Sequence, residues 1–127
     1  MELNEYQRRA MQTCMPTSKN LLYMLTNLVC EVGEFSGKIA KYVRKGQLFV
    51  VTNESRDEEG NILHSQIMNI SVEEKNALAQ EAGDIAWQLV GLCHVMGWSL
   101  EEICQLNLNK LASRKERGVI DGSGDER

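Results

Sequence analysis

Two stretches of the sequence match each other and decide the fold: LVCEVGEFSGKI, residues 28–39, and LAQEAGDIAWQL, residues 78–89. In each stretch the apolar residues recur at alternating steps of four and three, which is the period of one face of an α-helix. Each stretch also carries two acids three positions apart, with a glycine directly before the second acid. The sequence therefore predicts two long helices with matching acidic positions.

Residues that typically start or end helices set the bounds of these two helices and predict two more. Pro16 ends a first helix, because the residue before a proline is pushed out of the α region. Thr17 or Ser18 then starts the second helix, and Gly46 ends it. Ser71 and Ser99, each followed three residues later by a glutamate, open the third and fourth helices as capping boxes. We predict helices over residues 5–15, 17–45, 71–96 and 99–117.

Residues 47–70 do not follow the helical period. The segments LFVV, 48–51, and NILHSQI, 61–67, are typical of strands and flank the turn-like DEEGN, 57–61. The expected fold class is all-α: a helical bundle of about four helices with a short β-hairpin-like insertion between the second and third. We expect one domain over residues 1–127, in which 118–127 form a tail or loop.

Composition narrows the function classes. The chain has 127 residues with 14 Lys+Arg against 18 Asp+Glu, a net charge of −4. An acidic balance argues against binding to nucleic acid or to an anionic membrane, since both need a basic surface. The apolar window 85–98 is too short to span a bilayer. The four cysteines lack the Cys-x-x-Cys spacing, which favours reduced thiols and a cytoplasmic location.

The two central helices are expected to need a partner. The second helix would be roughly 40 Å long at 1.5 Å per residue, which exceeds the diameter of a globule of this size. The third helix is apolar beyond its main stripe, and a helix that is apolar on most faces has neighbours on most sides. We therefore expect a homodimer or homotetramer with these helices at its centre.

The repeated acids are the candidate metal ligands. Glu31 and Glu34 share one face of the second helix, and Glu81 and Asp84 share one face of the third. Both faces border the apolar stripe, so the carboxylates are expected to point toward the seam between the helices. All-oxygen ligands favour a hard divalent ion, with Mg²⁺ preferred and Mn²⁺ as the alternative.

The glycines of the repeat support this interpretation. Like charges three positions apart repel, and a glycine inside a helix costs about 1 kcal/mol relative to alanine. Gly33 and Gly83 occupy the same place in the two stretches. Two closely packed helices with four carboxylates around a cation would explain both the charge and the glycines.

A carboxylate-bound di-iron centre is the competing interpretation of the acids. Such a centre needs Glu-x-x-His on two helices. The histidines are His64 and His94, and neither follows a repeated acid by three residues. We expect His94 to be a packed helix residue and His64 to belong to the insertion.

A polar stripe on the fourth helix is the candidate phosphate-binding element: Asn107, Lys110, Arg114 and Arg117, at steps of three, four and three. Opposite a carboxylate–metal cluster, these side chains would bind the anionic oxygens of a polyphosphate. Alone, they would be explained better by a basic helix end that complements the macrodipole, and the acidic repeat is what favours the phosphate role.

With these residues the sequence resembles the MazG-like nucleotide pyrophosphohydrolases, within the all-α NTP pyrophosphatase superfamily. The family pattern Glu-x-x-Glu, spacer, Glu-x-x-Asp matches Glu31, Glu34, Glu81 and Asp84, and its later Asn and Lys/Arg positions match Asn107, Lys110 and Arg114. The ending RGVIDGSGDER, residues 117–127, is similar to the tail of small phage-like members. The spacer is longer than in compact members because of the insertion.

The resemblance implies a Mg²⁺-dependent enzyme that hydrolyses a (deoxy)nucleoside triphosphate to the monophosphate and pyrophosphate. The four acids would hold the metal, with Glu34 and Glu31 in catalysis and Glu34 assisting the attacking water. Lys110 and Arg114 would stabilise the phosphates, and Asn107 and Arg117 would help to bind the substrate.

Several alternatives stay open at this point. The chain could be a catalytically silent nucleotide- or metal-binding scaffold or regulator, or a Mg²⁺ enzyme for another phosphorylated compound. Trp87 is either a core or interface residue or a stacking surface for a base. GSGD, 122–125, is either a lid over phosphates or a frayed end.

Overall fold

The computed structural model describes residues 1–124 and is mostly helical. Four α-helices and one two-stranded antiparallel sheet follow each other along the chain, with a 3₁₀ turn at Pro16–Ser18: α1 Leu3–Met11, α2 Leu21–Arg44, β1 Leu48–Arg56, β2 Ile62–Met68, α3 Val72–Val95 and α4 Leu100–Glu116. This confirms the four helices and the hairpin between the second and third. Within the described residues, no helix is both long enough and apolar enough to cross a membrane.

The junction between α1 and α2 differs from the prediction. The first helix ends at Met11 instead of residue 15, and the hydroxyl of Thr13 donates to the carbonyl of Ala10 at 2.7 Å. A side-chain bond of this kind competes with continued helical pairing. The second helix begins at Leu21 instead of residue 17, because Asn20 caps it: its Oδ1 accepts from the Tyr23 N–H at 2.8 Å.

Both predicted capping boxes are present. The Ser71 hydroxyl accepts from the Glu74 N–H at 3.0 Å, and the Glu74 carboxylate accepts from the Ser71 N–H at 2.9 Å. Ser99 and Glu102 make the same pair of bonds. Gly97 follows α3 with a φ of 72°, the left-handed conformation that glycine adopts without strain.

The chain divides into two compact units, and the prediction of one domain stays a prediction. The first unit comprises residues 1–25 and the chain from residue 87 onward. Its core is a cluster of buried side chains: Ala10, Met11, Cys14, Met24, Val90, Cys93 and Leu100. Trp87 lies against this core and donates its indole N–H to the Ala10 carbonyl at 3.2 Å and to the Thr13 hydroxyl at 3.0 Å. These contacts favour the core interpretation of Trp87.

All four cysteines are free, as predicted. Cys14 and Cys93 are buried, Cys104 is partly buried and Cys30 is exposed. Burial raises the pKa of the Cys93 thiol, and the nearby Cys104 thiol adds to the effect. Cys93 therefore acts as a small core residue with its proton held in place.

The second unit, Thr26–Ala86, contains the hairpin. The strands pair antiparallel with Leu48 opposite Met68 and Thr52 opposite His64, and an irregularity follows between Thr52 and Arg56. The first strand is longer than predicted. The predicted turn is present: the Asp57 carboxylate accepts from the Asn61 side-chain amide and from the backbone N–H groups of Asn61 and Glu59, and these bonds lower its pKa.

The end of α4 is closed by short-range turns. The Val119 N–H donates to the Arg114 carbonyl at 3.0 Å, and the Gly122 N–H donates to the Val119 carbonyl at 3.0 Å. The predicted tail therefore begins as a series of turns. Residues 125–127, including the Asp125 of GSGD, lie outside the described residues.

Candidate metal centre

Three of the four repeated acids come together in the second unit. Glu31 and Glu34 lie on α2, and Glu81 lies on α3. One carboxylate oxygen from each lies within 4.8 Å of the other two. Glu31 and Glu81 are partly buried, whereas Glu34 is exposed. We call these three residues the acidic cluster.

The surroundings of Glu31 disfavour the ionised form of its carboxyl group. Burial raises the pKa of its carboxyl group, and the charges of Glu34, Asp84 and Glu81 raise it further. The Asn27 amide donates to the Glu31 carboxylate at 3.1 Å and opposes this rise. Asp84 is not within the three-residue cluster, but its charge acts on Glu31, so all four predicted acids share one local field.

Lys38 is a residue of this centre that the sequence reasoning missed. Its ammonium group lies 2.5 Å from a Glu81 carboxylate oxygen, and this hydrogen bond raises the Lys38 pKa more than any other influence. A signal was available: Lys38 follows Glu34 by four positions and therefore lies on the same face of α2. The lysine balances one of the three clustered charges.

The glycines need a different explanation from the one predicted. A Cβ atom added to Gly33 or to Gly83 would meet nothing within 4 Å among the described residues. Close packing of the two helices within one chain is therefore not the reason for these glycines, and that prediction was wrong. A close approach is seen instead at Gly91, where an added Cβ would lie 2.8 Å from the Met24 Cε.

Three residues of the basic stripe lie on α4, in the first unit, and Arg117 is the residue directly after this helix, which ends one residue earlier than predicted. Asn107, Lys110 and Arg117 are exposed, whereas Arg114 is only 5% exposed. The Arg117 Nε donates to the Ser113 hydroxyl at 3.3 Å. The phosphate-binding role of the four residues stays a prediction.

Neither histidine contributes to the cluster within the part of the chain that the structure describes. The His64 Nδ1 lies 3.2 Å from the Thr52 hydroxyl on the hairpin. His94 is in the last turn of α3. The donor set is therefore carboxylate oxygen alone, which suits Mg²⁺ or Mn²⁺ better than a di-iron centre.

Comparison with known proteins agrees with the sequence motifs. Residues 19–119 match the family model of the MazG nucleotide pyrophosphohydrolase domain. The chain is also 37% identical over 109 residues to the Gene 37 protein of Mycobacterium phage L5, covering 86% of this chain and 78% of that protein. No solved structure matches the chain. Since the family match covers most of the chain and includes every acid of the repeat, the protein belongs to the MazG nucleotide pyrophosphohydrolase domain family.

Proposed function

We propose that the protein hydrolyses a (deoxy)nucleoside triphosphate to the nucleoside monophosphate and pyrophosphate, with a divalent cation at the acidic cluster. The observation that carries this proposal is the convergence of Glu31, Glu34 and Glu81 within 4.8 Å, on the acids that the family pattern matches. The chain belongs to a family of nucleotide pyrophosphohydrolases, and this membership supports hydrolysis of a nucleotide as the class of reaction.

The side chains fit a hard divalent ion. Three carboxylates share one site, and Lys38 pairs with one of them. The raised pKa of Glu31 is the expected response of a carboxyl group that is partly buried and whose neighbours are also negative. We propose Glu31, Glu34, Glu81 and Asp84 as the ligands of Mg²⁺, with Mn²⁺ as a substitute. When bound, the ion would neutralise charge on the phosphate oxygens.

The reaction is a transfer of a phosphoryl-bearing group to water. The oxygen of a water molecule attacks a phosphorus of the triphosphate, the bond between the α- and β-phosphates breaks, and pyrophosphate leaves. We assign Glu34 to hold this water and accept its proton, because Glu34 is the exposed member of the cluster. Glu31 supports it from the same helix face.

The residues of α4 are proposed to recognise the substrate. Lys110 and Arg114 would neutralise phosphate charge, and Asn107 and Arg117 would contact the sugar or phosphates. A guanidinium group presents a rigid fork of donors that matches phosphate oxygens in pairs. Asn107 and Lys110 are exposed on α4, and Arg117 is exposed directly after it, which supports a role in contact with a ligand.

We further propose a homodimer or homotetramer in the cytoplasm. Apolar side chains of α2 remain exposed in the single chain, among them Leu22 at 77% and Val29 at 65%. Exposed apolar residues in this number are typical of a surface that another molecule covers. The four free cysteines support a reducing compartment.

A panel of nucleoside triphosphates and diphosphates with Mg²⁺ tests the proposal, with pyrophosphate and orthophosphate measured separately. Pyrophosphate release that EDTA abolishes supports it. Orthophosphate release alone would reject it, and binding of nucleotide without turnover would indicate a silent scaffold. Glu58→Gln in the hairpin turn is the matched control for glutamine variants of the cluster, because Glu58 is an exposed acid outside it.

A further inference from the structure

Lys38 connects the acids of α2 with the acid of α3. It lies on α2, and its ammonium group is 2.5 Å from a Glu81 carboxylate oxygen on α3. The hydrogen bond to Glu81 is the main cause of the raised Lys38 pKa, and the charge of Glu34, one turn earlier on α2, adds to it. The ammonium group therefore lies in the field of two proposed metal ligands, one from each helix.

A divalent ion at the acidic cluster would bind the same carboxylate that Lys38 holds. Glu81 is the α3 member of the cluster, and its side chain is only 14% exposed. Two cations at one largely buried carboxylate repel each other, and water screens this repulsion less than it does at an exposed site. The ammonium group and the divalent ion are therefore competitors for Glu81.

The lysine is the partner that is able to leave. Its side chain is 38% exposed, against 14% for that of Glu81. A lysine carries a strongly hydrated charge on a flexible four-carbon stem. Rotation of this stem would bring the ammonium group into water and leave the Glu81 carboxylate to another cation.

The exchange of the ammonium group for another cation favours an ion of charge two. K⁺ in place of the ammonium group would leave the total charge of the site unchanged, and the hydrogen bond to Glu81 would be lost. Mg²⁺ in the same place would add one positive charge, which attracts all three clustered carboxylates. Lys38 therefore opposes monovalent ions more effectively than divalent ones.

We propose that Lys38 is an internal competitor of the divalent ion, which holds Glu81 until an ion of charge two displaces it and so reserves the acidic cluster for divalent ions. This inference rests on the metal site of the proposed function, and it does not depend on the nucleotide reaction.

The opposite role for Lys38 would be to orient Glu81 as a fixed outer partner of a metal ligand. Removal of such a partner weakens metal binding, whereas removal of a competitor strengthens it. The sign of the change in Mg²⁺ affinity therefore distinguishes the two roles.

Titration calorimetry with MgCl₂ in the absence of nucleotide measures this sign for the wild type, Lys38→Met and the matched control Lys41→Met. Lys41 is an exposed residue of the same helix, so its substitution makes the same change in net charge. The dissociation constant for Mg²⁺ should fall about fivefold in Lys38→Met, as expected for loss of a partly exposed ion pair. It should stay within about a factor of two of the wild-type value in Lys41→Met.

The reservation for divalent ions is tested by thermal unfolding in KCl against tetramethylammonium chloride at equal ionic strength. K⁺ should raise the melting temperature of Lys38→Met and leave that of the wild type unchanged. An equal response of the two proteins to K⁺, or Mg²⁺ binding by Lys38→Met that is equal to or weaker than that of the wild type, would overturn the inference. If the wild type binds no Mg²⁺, the metal site and the inference fail together, whereas Mg²⁺ binding with no hydrolysis of any nucleotide would refute the proposed reaction alone.

A second measurement uses the wild type, so its result does not depend on how a variant folds. Relaxation of ¹³C at the lysine Cε atoms, with the Lys38 signal assigned from the spectrum of Lys38→Arg, reports the mobility of each lysine side chain. Without metal, Lys38 should be more restrained than Lys41, and saturating Mg²⁺ should make the two equally mobile. A Lys38 side chain that stays restrained in Mg²⁺ would overturn its displacement.

Discussion

Replacing Glu34 with glutamine removes one charge from the acidic cluster and keeps the size of the side chain. In the absence of metal the variant should be more stable than the wild type. Glu34 faces two like charges whose oxygens lie within 4.8 Å. At this separation each repulsion is about 0.9 kcal/mol in a water-like dielectric, which is appropriate because Glu34 is exposed.

Salt screening and the lost attraction to Lys38 reduce this gain. We expect a net stabilisation of about 1 kcal/mol, or a rise in melting temperature of roughly 3–6 °C for a chain of this size. With Mg²⁺ the order should reverse. A ligand at 100 times its dissociation constant stabilises by about 2.7 kcal/mol, and the variant has lost one of the side chains that would bind it.

The assay is thermal unfolding of the wild type, Glu34→Gln and the control Glu58→Gln, each with EDTA and with saturating MgCl₂. Triphosphate hydrolysis is measured on the same samples and should fall about 10²–10⁴-fold in Glu34→Gln, as expected for loss of a general base. Glu58→Gln should keep both the metal-dependent shift and the activity. A large loss of stability in Glu34→Gln without metal would refute the reasoning, because Glu34 would then be structural. An unchanged response to Mg²⁺ would refute the role of Glu34 as a ligand.

Three further predictions concern Lys38, Glu31 and Gly91. Lys38→Met should lower the metal-free melting temperature and enlarge the stabilisation by Mg²⁺, because the cluster loses its compensating charge; Lys75→Met, outside the ion pair, should do neither. Glu31 has a raised pKa, so the folded protein binds a proton that the unfolded chain has released. Metal-free stability should therefore fall as the pH rises from the ordinary glutamate pKa through the raised value, and urea titrations of Glu31→Gln should show a weaker fall. Gly91→Ala should destabilise the protein by about 1–3 kcal/mol through overpacking against a buried methionine, whereas Gly37→Ala, with open space at its Cβ, should stabilise it by up to about 1 kcal/mol. Equal effects of the two glycine substitutions on unfolding would contradict this distinction.

The sequence was informative where the signal is local. The steps of three and four predicted α2 and α3, and the boxes at Ser71 and Ser99 set the starts of α3 and α4. The start of α2 was missed because the Asn20 cap competes with an equally plausible start at Thr17 or Ser18. Such competition between neighbouring caps is decided by the geometry of the turn before the helix.

The sequence was less informative where the cause is tertiary. The pairing of Lys38 with Glu81 joins residues 43 positions apart, and helix periodicity places each on a face without showing which faces meet. The role of Gly91 depends on Met24 reaching it from another helix. The repeat drew attention to Gly33 and Gly83 instead, although open space surrounds both.

The balance of charge in the acidic cluster bears on the kind of ion that completes it. Glu31, Glu34 and Glu81 share the site with Asp84 close enough to act on Glu31, while Lys38 compensates one charge. A monovalent ion would leave the site clearly negative, and burial of Glu31 would still oppose its ionisation. A divalent ion compensates two of the three remaining negative charges, and the ion itself could still take negative oxygens of a polyphosphate as ligands. We therefore expect Mg²⁺ to stabilise the protein against heat much more than K⁺ at equal ionic strength, and equal stabilisation by the two ions would indicate screening of surface charge in place of coordination.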